Sequence, residues 1–229
     1  MAILSNNGSV GLLGSGVDAG YQIEKSLRFD DGDTAYLNKT PSGSGNKLTW
    51  TWSGWVKRCK LGADQTLFGA GDSSVLDSKI HFNSSDQLVC WNYTASAYKS
   101  NQITTARYRD PTAWYHIVVS CNGTTSLKIY VNGVEQSLGT DTGPDGTDWY
   151  FNTASKAHNL GRHITASSYF DGWMAEVHWI DGSALDPSSF GETNATTGQW
   201  VPIKYAGSHG TNGFHFKFNG TDIGEDSAG

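Results

Sequence analysis

One stretch, "WYHIVVSCNGTTSLKIYVNGVEQ" (residues 114–136), constrains this chain more than any other. Ile117, Val119 and Cys121 fall on alternate positions, and Leu127, Ile129 and Val131 repeat the pattern after a polar turn. Successive side chains of a strand point to opposite faces, so a period of two spells strands with one buried face each. Asn122-Gly123 opens the turn "NGTTS", and Asn132-Gly133 separates Tyr130-Val131 from Val134-Glu135. Asn and Gly accept the positive φ that a two-residue type I′ turn requires. The stretch therefore reads as a meander of three antiparallel strands, with Trp114 packing inside.

The same alternation recurs along the chain. "LTWTWSGWVK" (48–57) sets Trp50, Trp52 and Val56 on one face and Thr51, Ser53 and Trp55 on the other. "KIHFNSSDQLVCWNY" (79–93) reads as strand, polar turn, strand. "AHNLGRH" leads into "SYFDGWMAEVHWID" (168–181), whose Ala175, Val177 and Trp179 share a face, and "GFHFKFN" (213–219) aligns Phe214, Phe216 and Phe218. One helical turn is expected in "ALDPSSFG" (184–191). Short, turn-bounded, alternating segments favour two packed antiparallel sheets. The expected fold class is thus all-β, a two-sheet antiparallel jelly-roll sandwich over residues 21–219. Residues 1–20 form a Gly/Ser/Asn-rich arm before it, and 220–229 a polar tail after it.

Composition narrows the partners. With 28 Gly, 12% aromatic and only 17% charged residues, the chain has the make-up of a turn-rich sandwich. Its net charge of −6, with no basic run longer than Lys57-Arg58, leaves nothing to displace counterions from a nucleic acid. No apolar stretch suits a spanning helix. "MAILSNNGSVGLLGSG" lacks a basic start and a sustained apolar run, so no signal peptide is expected. Cys59, Cys90 and Cys121 are odd in number and far apart, which favours free thiols over a disulfide scaffold.

These blocks carry a resemblance. The Trp114–Gln136 stretch, "SLRFDDGDTAYL", "WTWSGWVK" and "NLGRH" followed by "YFDGWMAEVHWIDGSALDPSSFG" occur in the order seen in the concanavalin A-like lectin/glucanase superfamily. The likeness is to its laminin G-like and pentraxin-like branch. "TWTWSGWVKR", "MAEVHWIDGSALDPSSFGE" and "GQWVPIKYAGSHGTNGFHFKF" are further similar to virion proteins of tailed bacteriophages. The resemblance implies a concanavalin A-like sandwich in a non-catalytic virion protein of appendage or fibre type. It would be assembled in the host bacterial cytoplasm as a multicopy or homo-oligomeric component among other virion proteins, and would adhere to host-surface glycans. Two alternatives stand beside it: a capsid or tail decoration protein that stabilises its neighbours without binding sugar, and, more distantly, a glycan hydrolase.

The site candidates follow. Sugar rings stack on aromatic faces, and Trp91, Tyr93, Tyr98, Trp149 and Tyr150 stand in or beside polar stretches. A hydrolase needs two carboxylates about 5–5.5 Å apart for retention. The nearest match, "EVHWID", supplies Glu176 and Asp181 with His178 between them, and Glu176 is expected instead to tie turn backbone or Arg162. His116 has no acid or nucleophile near it in sequence. Acids in "FDDGDT" (Asp30, Asp31, Asp33), "GPDGTD" (Asp145, Asp148) and "DIGED" (Asp222, Asp226) suit turn capping, with weak Ca²⁺ binding as the alternative. Seven His show no HxH or HxxxH pair, so no metal ligand and no cofactor is assigned. In the arm, Ile3, Leu4, Leu12 and Leu13 are the residues expected to order on an assembly partner.

Overall fold

The computed structural model describes residues 20–228, so the expected arm residues Ile3, Leu4, Leu12 and Leu13 lie outside the described part. In chain order the strands are β1 (Leu27–Phe29), β2 (Leu37–Lys39), β3 (Thr49–Arg58), β4 (Gln65–Ser73), β5 (Leu76–Phe82), β6 (Leu88–Thr94), β7 (Ala97–Thr104) and β8 (Tyr115–Asn122). They continue as β9 (Ser126–Val131), β10 (Val134–Glu135), β11 (Leu138–Thr142), β12 (His158–Leu160) and β13 (Gly172–Asp181). A 3₁₀ turn at Pro187–Ser189 precedes β14 (Gly191–Thr193), β15 (Trp200–Pro202) and β16 (Phe214–Phe216). The first sheet runs β1-β13-β3-β8-β9-β10, with β16 also on β13, and the second runs β11-β7-β6-β5-β4-β12-β2. All pairings are antiparallel. This is the expected two-sheet antiparallel jelly-roll sandwich.

The meander forms as its alternation specifies. Asn132 (φ 49°) and Gly133 (φ 80°) join β9 to β10, and Gly123 takes φ 60° after β8. Ala95 and Ser96 make the equivalent left-handed turn between β6 and β7 at φ 50° and 60°, without glycine. Ile117, Val119, Cys121, Leu127, Ile129 and Val131 all enter the main core.

That core is an aromatic knot between the sheets. Trp50 meets Trp149, Phe151 and Trp179 at ring centroid distances of 5.0, 5.1 and 5.2 Å, and Phe68 stacks on Phe151 at 5.1 Å. A polar hub closes one end. Trp179 Nε1 donates to Asn152 Oδ1 (2.8 Å), and Asn152 Nδ2 donates to Asp181 Oδ1 (3.0 Å) and to the Asn46 carbonyl (2.6 Å). The backbone N–H groups of Asn46 and Asn212 also donate to the Asp181 carboxylate. Asn152 itself sits at φ 61°, a conformation Asn tolerates better than most side chains.

Two sequence expectations fail at identifiable points. Ala175, Val177 and Trp179 do not share a face: the β13–β3 register slips between Ala175 and His178, with Glu176 at φ 46°. This bulge sends Val177 and Trp179 into the core and leaves Ala175 outside it, against Ile23 and Trp55. Trp114, expected inside, is only half-buried and packs against that same outer cluster. It precedes the first residue of β8 and is not bound by the strand's alternation.

The sheets differ in how they meet solvent. The outer face of the first is covered by Tyr21 and Ile23 on one side. On the other, Leu185, Phe190 and Tyr205 pack over Val118 and Ile180. The C-terminal segment also returns to the body, where Ser227 N–H donates to the His215 carbonyl and Asp226 accepts from His215 N–H. Trp50→Ala should lower stability by about 3–5 kcal/mol in urea unfolding. Val134→Ala, at a side chain 63% exposed, should stay within about 0.5 kcal/mol.

Candidate functional site

The outer face of the second sheet collects chemistry by register alone. Asn159, Gly69, Lys79, Trp91 and Asn101 stand directly opposite one another across β12, β4, β5, β6 and β7. The neighbouring row brings Asp77 opposite Tyr93 and Tyr93 opposite Tyr98. Trp91, Tyr93 and Tyr98 thus lie on strands rather than in loops, and they touch: Tyr93 and Tyr98 ring centroids are 4.8 Å apart, Trp91 and Tyr98 5.6 Å. Tyr98 is 46% exposed.

Beneath these rings the floor is polar. Trp91 Nε1 donates to Asp77 Oδ2 (2.9 Å), and His163 Nε2 lies 3.1 Å from the same oxygen. Lys79 Nζ sits 4.2 Å from the Trp91 ring centroid and makes no ion pair among the described residues. Burial lowers the Lys79 pKa to about 8, with Asp64 and Asp77 opposing that shift. Thr66 Oγ1, Asp77 Oδ1, His81 Nδ1, Asn101 Oδ1 and both amide atoms of Asn159 are buried without a protein partner. The segment 161–170 lies over β4, held by Thr66 N–H to the Ser168 carbonyl, with Ala166 and Ser168 at φ 54° and 50°. Beside it opens a crevice of about 330 Å³ whose walls include Asp31, Lys60, Asp64, Ser168 and Tyr169.

Trp149 and Tyr150 go elsewhere. Trp149 is 1% exposed, with its ring in the core knot, so it offers no face to a ligand. Tyr150 is half-buried against the core, its hydroxyl 3.2 Å from Thr94 Oγ1. The segment around them plugs the space between the sheets, because Ser78 and Asn92, on the inner face of the second sheet, hydrogen-bond its backbone. A polar sequence context hid an aromatic plug.

The outer face of the first sheet holds a second polar group, beside a crevice too narrow to hold a water molecule and lined by Tyr21, Ser53, His116, Glu176 and His178 among others. Ser53 Oγ lies 3.0 Å from His116 Nε2, a pair that sequence separation concealed. Trp200 Nε1 lies 3.0 Å from His116 Nδ1, and an indole N–H only donates, so Nδ1 is the acceptor. Burial drives the His116 pKa down to about 3, so the ring is neutral and carries its proton on Nε2. It therefore donates to Ser53 and cannot take the hydroxyl proton: the tautomer opposes nucleophile activation.

Glu176 does not bond Arg162, as expected from sequence; Arg162 lies over the Tyr36 ring instead. Glu176 Oε2 accepts from Tyr21 Oη (2.9 Å) and His215 Nε2 (2.8 Å), with His178 Nε2 at 3.7 Å. Burial pushes its pKa up, but the hydrogen bonds from His178 and His215 outweigh that and hold it at about 2. Asp181 points to the other side of β13, locked in the core hub. The "EVHWID" carboxylates thus lie on opposite sides of β13, and Glu176 is held ionised rather than poised as an acid for glycoside cleavage.

The fold also gathers three of the seven histidines. His178 stands opposite His215 in the β13–β16 register, and His209 approaches from the segment before β16. One ring nitrogen of each lies within 4.8 Å of the others. Positions 178, 209 and 215 carry no metal-binding spacing, so only the strand pairing reveals them. The acids considered for Ca²⁺ act as turn caps and surface partners: Asp30 caps Gly32, Asp145 caps Thr147, Asp222 caps Gly224 and Asp31 pairs with Lys60.

The model of the concanavalin A-like lectin/glucanases superfamily, in its laminin G form, matches residues 30–189, and the chain belongs to this family. No curated protein matches it. Among solved structures it is similar to a native heptameric SAP-like pentraxin from Limulus polyphemus, with 13% identity, TM-score 0.51, and 75% of this chain and 86% of that one covered. Domain 4 of an extracellular arabinanase from Geobacillus stearothermophilus, solved with arabinotriose, matches at 23% identity and TM-score 0.47, covering 65% of this chain and 67% of that one. A tailspike protein of an Escherichia coli bacteriophage matches at 10% identity and TM-score 0.49, over 72% of this chain and 23% of that one. Among the described residues no helix is long and apolar enough to cross a membrane.

The buried histidines set a pH dependence. Burial lowers the pKa of His81, His116, His158 and His178 below the ordinary 6.5, to about 3 for His116 and about 4 for His158 and His178. A group with a depressed folded pKa binds protons more readily when unfolded, so stability is full above about pH 6.5 and falls as pH drops toward 4. The urea midpoint should decrease between pH 7 and pH 5; an unchanged midpoint would contradict these assignments.

Proposed function

We propose that this chain is a glycan-binding module that acts without catalysis, with Trp91, Tyr93 and Tyr98 as its contact surface. The observation that carries this reading is the cross-strand row on the second sheet. There, aromatic rings adjoin buried polar atoms that have no protein partner. A sugar ring offers an apolar face for stacking on those rings, and its hydroxyls suit the half-buried Asn101 opposite Trp91. Lys79 and Asn101 lie within the same row and set the polar contacts on either side of Trp91.

The family description joins lectins with glucanases, and the local chemistry favours the lectin side. Glu176 is ionised with its Oε2 held by Tyr21 and His215, Asp181 is remote from the crevice, and the His116 tautomer opposes a Ser53 nucleophile. The biological setting we infer is a tailed-phage virion, in an appendage or fibre-like component assembled in the bacterial cytoplasm. Support for that setting comes from the likeness of "TWTWSGWVKR" and "GQWVPIKYAGSHGTNGFHFKF" to phage virion proteins. In such a particle, many copies convert weak individual contacts into firm adhesion.

The test is a glycan array probed with the full chain displayed multivalently on beads. Trp91→Ala and Tyr98→Ala should each weaken the best hit by about 1–2 kcal/mol, roughly tenfold in Kd. Glu176→Gln should leave it unchanged. An array that stays blank, while the chain is still found in many copies in purified particles, would overturn adhesion in favour of decoration. Reducing-sugar release abolished by Glu176→Gln would overturn the non-catalytic reading.

A further inference from the structure

We propose that His178, His209 and His215 form a three-imidazole site for a borderline divalent transition metal, Zn²⁺ foremost, with a water molecule in the fourth position. The site lies on the outer face of the first sheet and is independent of the glycan surface on the second. Its framework is rigid on one side, since His178 and His215 face each other from directly paired positions on β13 and β16. His209 arrives from the segment between β15 and β16, and is half-buried, so solvent reaches the cluster along its side.

The ring geometry fits a metal that replaces a shared proton. His178 Nδ1 and His209 Nε2 are 3.1 Å apart with ring planes within 10°, so two neutral imidazoles share one proton between them. Tetrahedral Zn²⁺ with bonds of about 2.0–2.1 Å sets its nitrogens roughly 3.3 Å apart, close to that spacing. His215 now lies over the His178 ring at 3.9 Å, and turning its edge toward the same point completes the trio. Glu176 prepares that turn. Its carboxylate accepts from His215 Nε2, which leaves Nδ1 as the free lone pair, the carboxylate–histidine arrangement that orients metal ligands. The bulge at Glu176 is what aims the carboxylate to this side of β13.

The donor set selects the ion class. Three nitrogen donors with no carboxylate oxygen in the trio disfavour Ca²⁺ and Mg²⁺ and suit Zn²⁺, Ni²⁺ or Cu²⁺. The consequence is mechanical. The backbone of His209 already accepts from Asp181 N–H, and a metal would clamp its segment, together with the Phe190–Tyr205 stack, onto the sheet.

The test uses the tag-free full chain, stripped with EDTA and titrated with Zn²⁺ against a chromophoric chelator, with Co²⁺ absorption as a second readout. The expected result is one Zn²⁺ per chain, a Co²⁺ spectrum of tetrahedral type and a higher Tm with Zn²⁺ but not with Ca²⁺. His209→Ala, on an exposed-side segment, should keep the native circular dichroism and lose the site. Glu176→Gln should weaken binding by about tenfold. Failure of Zn²⁺, Co²⁺, Ni²⁺ and Cu²⁺ to bind stoichiometrically, or undiminished binding by His209→Ala, would overturn the proposal. Trp91→Ala should bind Zn²⁺ normally, which separates this result from that of the glycan test.

Discussion

The contact of Phe68 on the second sheet with Trp179 on the first, and the aromatic plug from residues 149–151 packed against both, hold the two sheets together, and the rest of the molecule depends on them. Those rings bury large apolar area, which is the main driving force for closing a sandwich. Burial alone has no direction. The Trp179–Asn152–Asp181 hydrogen bonds supply it, because each buried polar atom there has one geometry that satisfies it. Asp181 ends β13, Asn152 ends the plug, and Asn46 and Asn212 bring two further segments to the same carboxylate.

Fixing the sheets this way creates two unlike outer faces. The first sheet is roofed by the segment at Tyr21–Ile23 and by the excursion through Phe190 and Tyr205, so most of the side chains on both its faces are buried. Polar groups under that roof are satisfied locally, as in the Ser53–His116–Trp200 and Tyr21–Glu176–His215 chains. The second sheet is only partly covered, by the segment 161–170, and keeps unpaired polar atoms beside exposed rings. Chemistry that is closed on itself on one face is left open on the other, and that contrast is what supports the glycan surface proposed on the second sheet.

The strands of the meander, the facing of Trp50, Trp52 and Val56, and the Phe214–Phe216 pair were legible in the sequence because alternation is a local property. The bulge at Glu176 was not, since one extra residue in a strand leaves no mark on composition and reverses the face of everything before it. Trp149 misled for a related reason: "GTDWYFN" is polar around its ring, yet the segment is inserted between sheets. The histidine trio is invisible at spacings of 31 and 6 residues and arises only when β16 pairs with β13.

The sequence by itself determined the period-two strands, their tight Asn-Gly turns and the aromatic stock of the core, all of which are set by neighbours within a few residues. Tertiary structure alone decided which aromatics face solvent, which tautomer His116 adopts and which side chains meet Glu176. Those outcomes depend on strand register and on segments distant along the chain, where a single-residue slip exchanges one face for the other.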